Sequence, residues 1–267
     1  MDRDNKLEHR CLLLENREVV PGWHLLELQA PDLVHASPGQ FVQLRVGRLT
    51  DPLLRRPVSI HYAEPEKGRI RLLFRVAGRG TALVSGFKAG DNVDLLGPLG
   101  RGFPCLDEEE PAIFVAGGIG LAPLFFAAAQ RSRVSLPFEF FLGGKSGSLL
   151  PPEGYFQAHG IKPRLVTDDG SRGGSGPVTA LLEEYLETNK APLRIHACGP
   201  GPMLAGVVEL ARSAGAAVHV SLESRMACGV GACLGCVYPF RSGDQVEYRR
   251  VCREGPVFNG EEVLFES

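Results

Sequence analysis

The sequence has no excess of charge of either sign, because 29 lysine and arginine residues balance 31 aspartate and glutamate residues to a net charge of -2. A nucleic-acid or anionic-membrane partner would need a basic excess to neutralise phosphate, so we expect neither. The N-terminal twenty residues also lack a long apolar run, the longest being Cys11–Leu14. A secretory signal needs a longer run, and we therefore expect a cytoplasmic protein.

Only one uncharged stretch, Ala112–Ala129, is about as long as a membrane-spanning helix. It contains Gly117, Gly118, Gly120 and Pro123, which are typical of a strand, a turn and a new helix rather than of one continuous helix. We expect a buried strand–turn–helix unit here and no membrane span.

Residues 1–103 alternate short apolar runs with turns rich in glycine and proline. Runs of this length that recur every ten or twenty residues predict a small antiparallel β-barrel. The expected strands include Trp23–Leu28, Phe41–Val46, Ile70–Val76 and Asn92–Leu96.

Residues 104–220 have a different pattern, in which strand-like runs alternate with helix-like segments. This alternation predicts a parallel sheet with right-handed crossovers, and therefore an α/β domain. Residues 221–267 are rich in cysteine and glycine, end in short strand-like pieces and are expected to form a third, small domain. In the α/β domain we expect the strands Ala112–Ala116, Phe138–Leu142, Arg164–Thr167 and Arg194–Ala197, and the helices Pro123–Arg131, Leu181–Glu187 and Met203–Ala214.

Four of the seven cysteines form a C-x4-C-x2-C cluster with a distant fourth member: Cys228, Cys233, Cys236 and Cys252. This spacing is that of the plant-type [2Fe–2S] ferredoxins. Small residues between the ligands allow the backbone to wrap closely and to direct its N–H groups at the sulfurs of the cluster. These residues are Gly229, Gly231, Ala232 and Gly235.

Two other interpretations of the cysteines stay open. A four-cysteine zinc site would use the same ligands, although it is usually built from two C-x2-C pairs and only Cys233 and Cys236 form one here. Buried or bridged cysteines are the other interpretation. Because no export signal is apparent, a metal site is more strongly indicated than a disulfide framework.

Two short segments of the barrel region could bind a flavin. In Arg56–Ser59, an arginine followed by a β-branched residue and a serine could bind a flavin phosphate and support the ring. In Gly78–Thr81, a glycine-rich loop precedes a short helix whose free N–H groups suit a pyrophosphate. Each segment alone is also typical of an ordinary turn.

A nicotinamide site is indicated by Val115–Pro123, where a strand, a glycine turn and a helix follow one another; the segment lacks the G-x-G-x-x-G fingerprint. Cys198 ends a later strand in a Cys-Gly-Pro corner, although a small buried apolar residue would suit that position too. Asp168–Ser171 is either a plain turn or part of the same site. Lys145 and Ser146 come without an arginine cluster, which favours NADH over NADPH. The candidate glycines are Gly117, Gly118 and Gly120.

The order of these motifs along residues 7–220 resembles that of the ferredoxin–NADP reductase superfamily. The resemblance implies FAD bound between the barrel and the nucleotide-binding domain. By position, it assigns the flavin ring and phosphate to Arg56, Pro57, Val58 and Ser59, the adenosine or ribityl part to Leu73, Phe74 and Arg75, and the pyrophosphate to Gly80 and Thr81. It also implies that Cys198 approaches the nicotinamide. Many members have tyrosine where this chain has Val58.

With the segment from Glu223 to Cys236 included, nearly the whole chain is similar to the electron-transfer subunits of NAD-dependent (class 1B) dihydroorotate dehydrogenases. That similarity implies cluster ligation by the four cysteines and a partner with FMN that oxidises dihydroorotate to orotate in pyrimidine (UMP) biosynthesis, in a heterotetramer with two copies of each subunit. Electrons would pass through [2Fe–2S] and FAD to NAD+. The domains then become FAD-binding (1–103), NAD-binding (104–220) and cluster-binding (221–267).

Two alternatives remain at this stage. A related subunit could serve a hydrogenase or an NADH-dependent ferredoxin:NADP oxidoreductase, although several such relatives replace the first cluster ligand and Cys228 is present here. The other alternative is a zinc-bearing module on a flavoprotein-like scaffold, without turnover.

Overall fold

The computed structural model describes residues 7–47, 51–104, 106, 108–189 and 192–265. Its first part is a closed antiparallel barrel of six strands in the order β1-β2-β5-β4-β3-β6, with β1 pairing with β6 to close it. Closure leaves no free strand edge. The strands are β1 (Glu8–Val20), β2 (Trp23–Gln29), β3 (Phe41–Leu44), β4 (Arg56–Glu64), β5 (Arg69–Arg75) and β6 (Asn92–Leu99), and the helix α1 (Arg79–Ser85) connects β5 to β6.

The second part is a seven-stranded sheet in the order β10-β9-β8-β7-β11-β12-β15. All of its pairs are parallel except β12 with β15. Its strands are β7 (Ala112–Gly117), β8 (Phe138–Gly144), β9 (Pro163–Thr167), β10 (Gly174–Ser175), β11 (Arg194–Cys198), β12 (Ala217–Ser221) and β15 (Val257–Asn259), and its helices are α2 (Leu121–Arg133), α3 (Glu153–Gln157), α4 (Val178–Thr188) and α5 (Gly201–Ala214).

The strand order reverses between β7 and β11. The chain runs from β7 outward to β10 on one side of the sheet and then returns to place β11 on the other side of β7. In open α/β sheets, ligands bind in the crevice that such a reversal leaves at the carboxyl ends of the strands. The candidate segments that follow β7 and β11 therefore lie at the same crevice.

Helix α2 is buried along almost its whole length because it packs against strand β4 of the barrel on one side and against the parallel sheet on the other. A helix covered on both sides has no need of a polar face. This explains why Leu121–Ala129 is uncharged, and the complete burial of β7 explains the absence of charge from Ala112 to Gly117. Within the described residues, no helix is both long enough and apolar enough to cross a membrane.

The C-terminal segment combines an irregular cysteine-containing loop with the hairpin of β13 (Val237–Ser242) and β14 (Gln245–Arg250). It does not form an isolated unit, because β15 pairs with β12 and places Val257 opposite Ser221. The predicted barrel and α/β architecture is confirmed. The division at residue 220 stays a prediction, since β15 from the expected third domain extends the sheet of the second.

Candidate redox site

A cavity of about 270 Å³ lies between the barrel and the α/β part, at the strand reversal. Strands β4 and β5 and helix α1 form its barrel side, and α2 and the ends of β11 and β12 form the other side. Seven of the predicted flavin residues and the predicted nicotinamide-facing cysteine line it. These residues are Pro57, Val58, Ser59, Leu73, Phe74, Arg75, Thr81 and Cys198.

The two remaining predicted flavin residues, Arg56 and Gly80, touch each other. A Cβ at Gly80 would overlap the guanidinium of Arg56, so the arginine lies directly over this backbone. The hydroxyl of the next residue, Thr81, accepts hydrogen bonds from the N–H groups of Ala77 and Gly78 at 2.9 and 3.2 Å. One cation, one hydroxyl and a close-packed backbone therefore meet beside the first cavity, which is a combination suited to phosphate.

A second cavity of about 570 Å³ lies over the carboxyl ends of the parallel strands. It is lined by glycines at the carboxyl ends of β7 and β8, by Asp168 after β9 and by Gly199 and Pro200 after β11. Gly117 and Gly118 are among these lining residues. Gly120 lines neither cavity; a Cβ there would overlap the backbone carbonyl of Cys198, so this glycine allows the turn after β7 to approach β11 closely.

Three residues line both cavities: Arg75, Ile119 and Glu223. Glu223 belongs to no motif in the sequence that points to this site. Burial raises the pKa of its carboxyl group, and the positive charge of Arg75 partly offsets that rise. Only its position could have indicated a place in this site. Glu223 follows the end of β12 by two residues, and β12 lies beside β11 at the crevice.

The thiol of Cys198 is buried at the wall of the first cavity. Burial raises its pKa well above the ordinary value, the charge of Glu223 adds to the rise, and a hydrogen bond with the side chain of Ser221 opposes it. The thiol therefore stays protonated at neutral pH and contributes no charge beside the cavity.

The four cysteines are arranged as two pairs. The side chains of Cys228 and Cys233 are hydrogen-bonded to each other. The backbone N–H of Cys252 donates to the sulfur of Cys236 at 3.4 Å, and the side chains of that pair are also in contact. Among the described residues, no three or more His, Cys, Asp or Glu side chains are placed to hold one metal ion. Two thiol pairs match the two irons of a [2Fe–2S] cluster, each of which takes two cysteines.

Backbone N–H groups surround the sulfur of Cys228. Burial raises the pKa of this thiol, but the N–H groups of Val230, Cys233 and Ala232 favour the thiolate more strongly and lower its pKa to about 6. The loop that carries these donors is held by Arg250, whose Nη1 donates to the carbonyl oxygen of Gly231 at 2.9 Å. The loop is thus built to stabilise negatively charged sulfur, as the ligands of an iron–sulfur cluster require.

Comparison with known proteins agrees with this geometry. Residues 223–264, which contain all four cysteines, match the family model of the iron-sulfur cluster binding domain of dihydroorotate dehydrogenase B. A solved structure of an NADH-dependent reduced ferredoxin-NADP oxidoreductase superimposes with a TM-score of 0.82 at 27% identity, covering 96% of this chain and 90% of that one. A ferredoxin reductase in carbazole 1,9a-dioxygenase, with a TM-score of 0.70, 19% identity and coverage of 80% and 68%, supports the fold alone.

Among its relatives, the electron transfer subunit of dihydroorotate dehydrogenase B (NAD+) from Geobacillus kaustophilus is 41% identical over 231 residues, covering 85% of this chain and 87% of that protein. The corresponding subunit from Desulforamulus reducens is 40% identical over 249 residues, covering 93% of this chain and 95% of that protein. The chain therefore belongs to the family of electron transfer subunits of dihydroorotate dehydrogenase B (NAD+).

Proposed function

We propose that this chain passes electrons between NAD(H) and an FMN-containing catalytic partner that oxidises dihydroorotate to orotate in pyrimidine biosynthesis. Family membership confirms the expectation of an oxidoreductase electron-transfer subunit and of FAD, [2Fe–2S] and NAD as its cofactors. It also implies a catalytic partner subunit. The identity of the partner, its stoichiometry and the roles of single residues are parts of the proposal.

The proposal rests mainly on one observation: the two cavities and the cysteine loop adjoin one another. Arg75, Ile119 and Glu223 separate the two cavities and line both. Met226 lines the first cavity and precedes Cys228 by two residues. A nicotinamide in the second cavity, a flavin in the first and a cluster on the thiols would therefore be neighbours in that order.

For FAD, the first cavity offers an apolar floor and a polar rim. Leu73 and Phe74 are buried on β5 and provide the floor. Arg56, over Gly80 and beside Thr81, provides the positive charge for the pyrophosphate. We assign Pro57, Val58 and Ser59 to the ring because they line the same cavity from β4, and Val58 supplies aliphatic packing where a tyrosine would stack.

For the nicotinamide, the second cavity offers backbone rather than charge. Gly117 and Gly118 expose main chain at the carboxyl end of β7, where a pyrophosphate can approach closely. Lys145 is the only lysine or arginine that lines the cavity besides Arg75 within the described residues. A single lysine at this rim supports a preference for NADH, since a 2′-phosphate is usually bound by several cationic groups.

The thiol pairs would hold the cluster, with Cys228 and Cys233 on one iron and Cys236 and Cys252 on the other. When bound, FAD exchanges hydride with the nicotinamide and single electrons with the cluster, and so links two-electron to one-electron chemistry. The N–H donors around Cys228 stabilise the charge of the thiolates. Arg250 maintains the loop conformation through Gly231.

The surface around the thiols is suited to a partner. Cys233 is exposed. The same C-terminal segment exposes three large apolar side chains, one beside Cys233 and two on β14: Leu234 is 60% exposed, Val246 57% and Tyr248 67%. Several large exposed apolar residues on one segment are typical of protein interfaces. We place the catalytic partner there, in a cytoplasmic assembly of two copies of each subunit, so that electrons from the partner enter this chain through the ligand nearest the surface.

The test is to purify the native chain anaerobically together with the protein that co-purifies with it, and then to assay the complex and the isolated chain. We expect the complex to oxidise dihydroorotate with NAD+ as acceptor. The isolated chain should oxidise NADH with an artificial dye as the electron acceptor, without oxidising dihydroorotate. A complex that shows ferredoxin or hydrogen turnover instead would favour the related-subunit alternative. Zinc in place of iron and sulfide would favour the module without turnover.

A further inference from the structure

Gln43 is a fully buried glutamine whose side-chain amide has no hydrogen-bond partner. It lies in the middle of β3, it is 0% exposed, and among the described residues neither Nε2 nor Oε1 has a partner. Buried amides in native proteins are almost always hydrogen-bonded, so an unpaired one requires an explanation.

The amide of Gln43 points at the cysteine loop. A Cβ built on Gly229 would lie 2.6 Å from both Nε2 and Cγ of Gln43, so the amide abuts the backbone directly after Cys228. Gly229 has a φ of +72°, a conformation that favours glycine, and this allows the loop to pass so closely.

Gln43 also lies between the loop and the first cavity. Along β3, Phe41 is on the same face two residues earlier and lines the cavity. Across the ladder, Gln43 is paired with Pro57, which lines the cavity too. Gln43 is thus a barrel residue that reaches from the proposed flavin site towards the cysteine loop.

We propose that the Nε2–H of Gln43 donates a hydrogen bond to a sulfur of the cluster, and so sets its reduction potential. The inference rests on the proposed function, since it requires the cluster. A donor aimed at sulfur stabilises the reduced, more negatively charged state and raises the potential. Gln43 is a positioning residue, because it neither ligates iron nor contacts a substrate.

The test is the replacement Gln43→Leu, which keeps the approximate size of the side chain and removes the donor. Gln29→Leu is the matched control. Gln29 lies in the same barrel, and its Nε2 donates at 3.0 Å to the carbonyl oxygen of Gly68, in the turn before β5 and not in the cysteine loop. The midpoint potential of the cluster is measured by redox titration followed by EPR. Iron, sulfide and FAD contents are measured on the same samples.

We expect Gln43→Leu to keep its iron, sulfide and FAD and to shift the cluster potential to more negative values, with the flavin potential unchanged. Gln29→Leu should leave both potentials unchanged. A cluster potential in Gln43→Leu equal to that of the wild type would overturn the role of Gln43. Wild-type protein without iron and sulfide would instead overturn the proposed function itself, so the two failures are distinguishable.

A second measurement applies even if Gln43→Leu does not fold. Wild-type protein carrying glutamine labelled with ¹⁵N at the side-chain amide is reduced and examined by pulsed EPR. We expect a ¹⁵N coupling to the cluster spin. Its absence in a protein that contains the reduced cluster overturns the inference.

Discussion

The hydroxyl of Tyr155 donates a hydrogen bond of 2.6 Å to Nε2 of His61. His61 belongs to β4 of the barrel and Tyr155 to α3 of the α/β part, so this bond joins the two halves of the molecule. Nδ1 of the same imidazole donates to the carbonyl oxygen of Ala122, at 3.0 Å, at the start of α2. Ala122 lines the first cavity, and the pair therefore fixes the wall of the proposed flavin site.

We predict that His61 makes the stability of the protein sensitive to acid. Burial lowers the pKa of its imidazole to about 3, with the charges of Arg71 and His159 adding to the effect. The unfolded chain binds a proton near pH 6.5, so the free energy of unfolding should fall as the pH drops from about 6.5 towards 3, by at most about 1.4 kcal/mol per pH unit.

His61→Phe tests this prediction in denaturation series from pH 7.5 to 4.5. The variant should be less stable at pH 7.5, because it loses both hydrogen bonds, but its stability should depend less steeply on pH. His35→Phe, which replaces an exposed histidine, serves as the control. Parallel curves for wild type and His61→Phe would contradict the prediction.

We predict that Arg56→Ala weakens FAD binding. The loss of a charge-assisted contact with phosphate should cost about 1.5–3 kcal/mol, which is a tenfold or larger rise in the dissociation constant. Flavin retained after gel filtration and the fluorescence of released FAD measure it. Arg133→Ala, which removes an exposed ion pair with Glu66, should leave retention unchanged. Equal FAD occupancy in the two variants would remove Arg56 from the site.

We predict that Cys233→Ser separates the two half-reactions. Transfer to the partner should be abolished, because a cluster ligand is lost, while NADH should still reduce FAD at close to the wild-type rate. Cys233 lines neither cavity, which supports the separation of flavin reduction from transfer to the partner. Stopped-flow reduction of the flavin and steady-state turnover of the complex measure the two steps. Cys11→Ala, at a buried barrel position, should affect neither; loss of flavin reduction in Cys233→Ser with FAD still bound would contradict us.

We predict that Arg131→Met strongly destabilises the α/β part. The guanidinium of Arg131 is buried and donates to the carbonyl oxygens of Leu106, Glu108, Glu110 and Pro137 at 2.9–3.2 Å. Its loss leaves these acceptors without their cation, at an expected cost of at least about 3 kcal/mol. The midpoint of urea denaturation measures the effect, and the exposed Arg133→Met should shift it little. Similar midpoints for both variants would refute the structural role.

Much of the fold was predictable because the relevant signals are local. The apolar strand Ala112–Gly117 and the glycines after it specify one edge of the crevice, and the cysteine spacing specifies the cluster loop. Strand β1 was not predicted, because its thirteen residues mix charged and apolar side chains and it becomes a strand by pairing with both β2 and β6. Strand β15 was expected only as one of the short strand-like pieces near the C-terminus. Its place in the sheet could not be predicted, because three residues give no periodicity and its partner β12 is distant in sequence.

The site was predictable where a motif recurs and unpredictable where tertiary placement decides. The residues of β4 and β5 that line the first cavity could be picked out by their order along the chain. Glu223 and Gln43 could not be identified in this way, because neither is part of a sequence motif. Glu223 lies at the crevice because it follows β12, and Gln43 contacts the cysteine loop from strand β3 of the barrel. The contacts of His61 could not be predicted either, since a histidine in a strand gives no indication of which helix will pack over it.

The most direct test of the proposed electron path is freeze-quenched EPR of the anaerobic wild-type chain after mixing with NADH, without any partner. We expect flavin reduction to be followed by the signal of a reduced [2Fe–2S] cluster. A flavin that is fully reduced by NADH while no cluster signal forms, in protein that contains iron and sulfide, would contradict electron transfer within this chain.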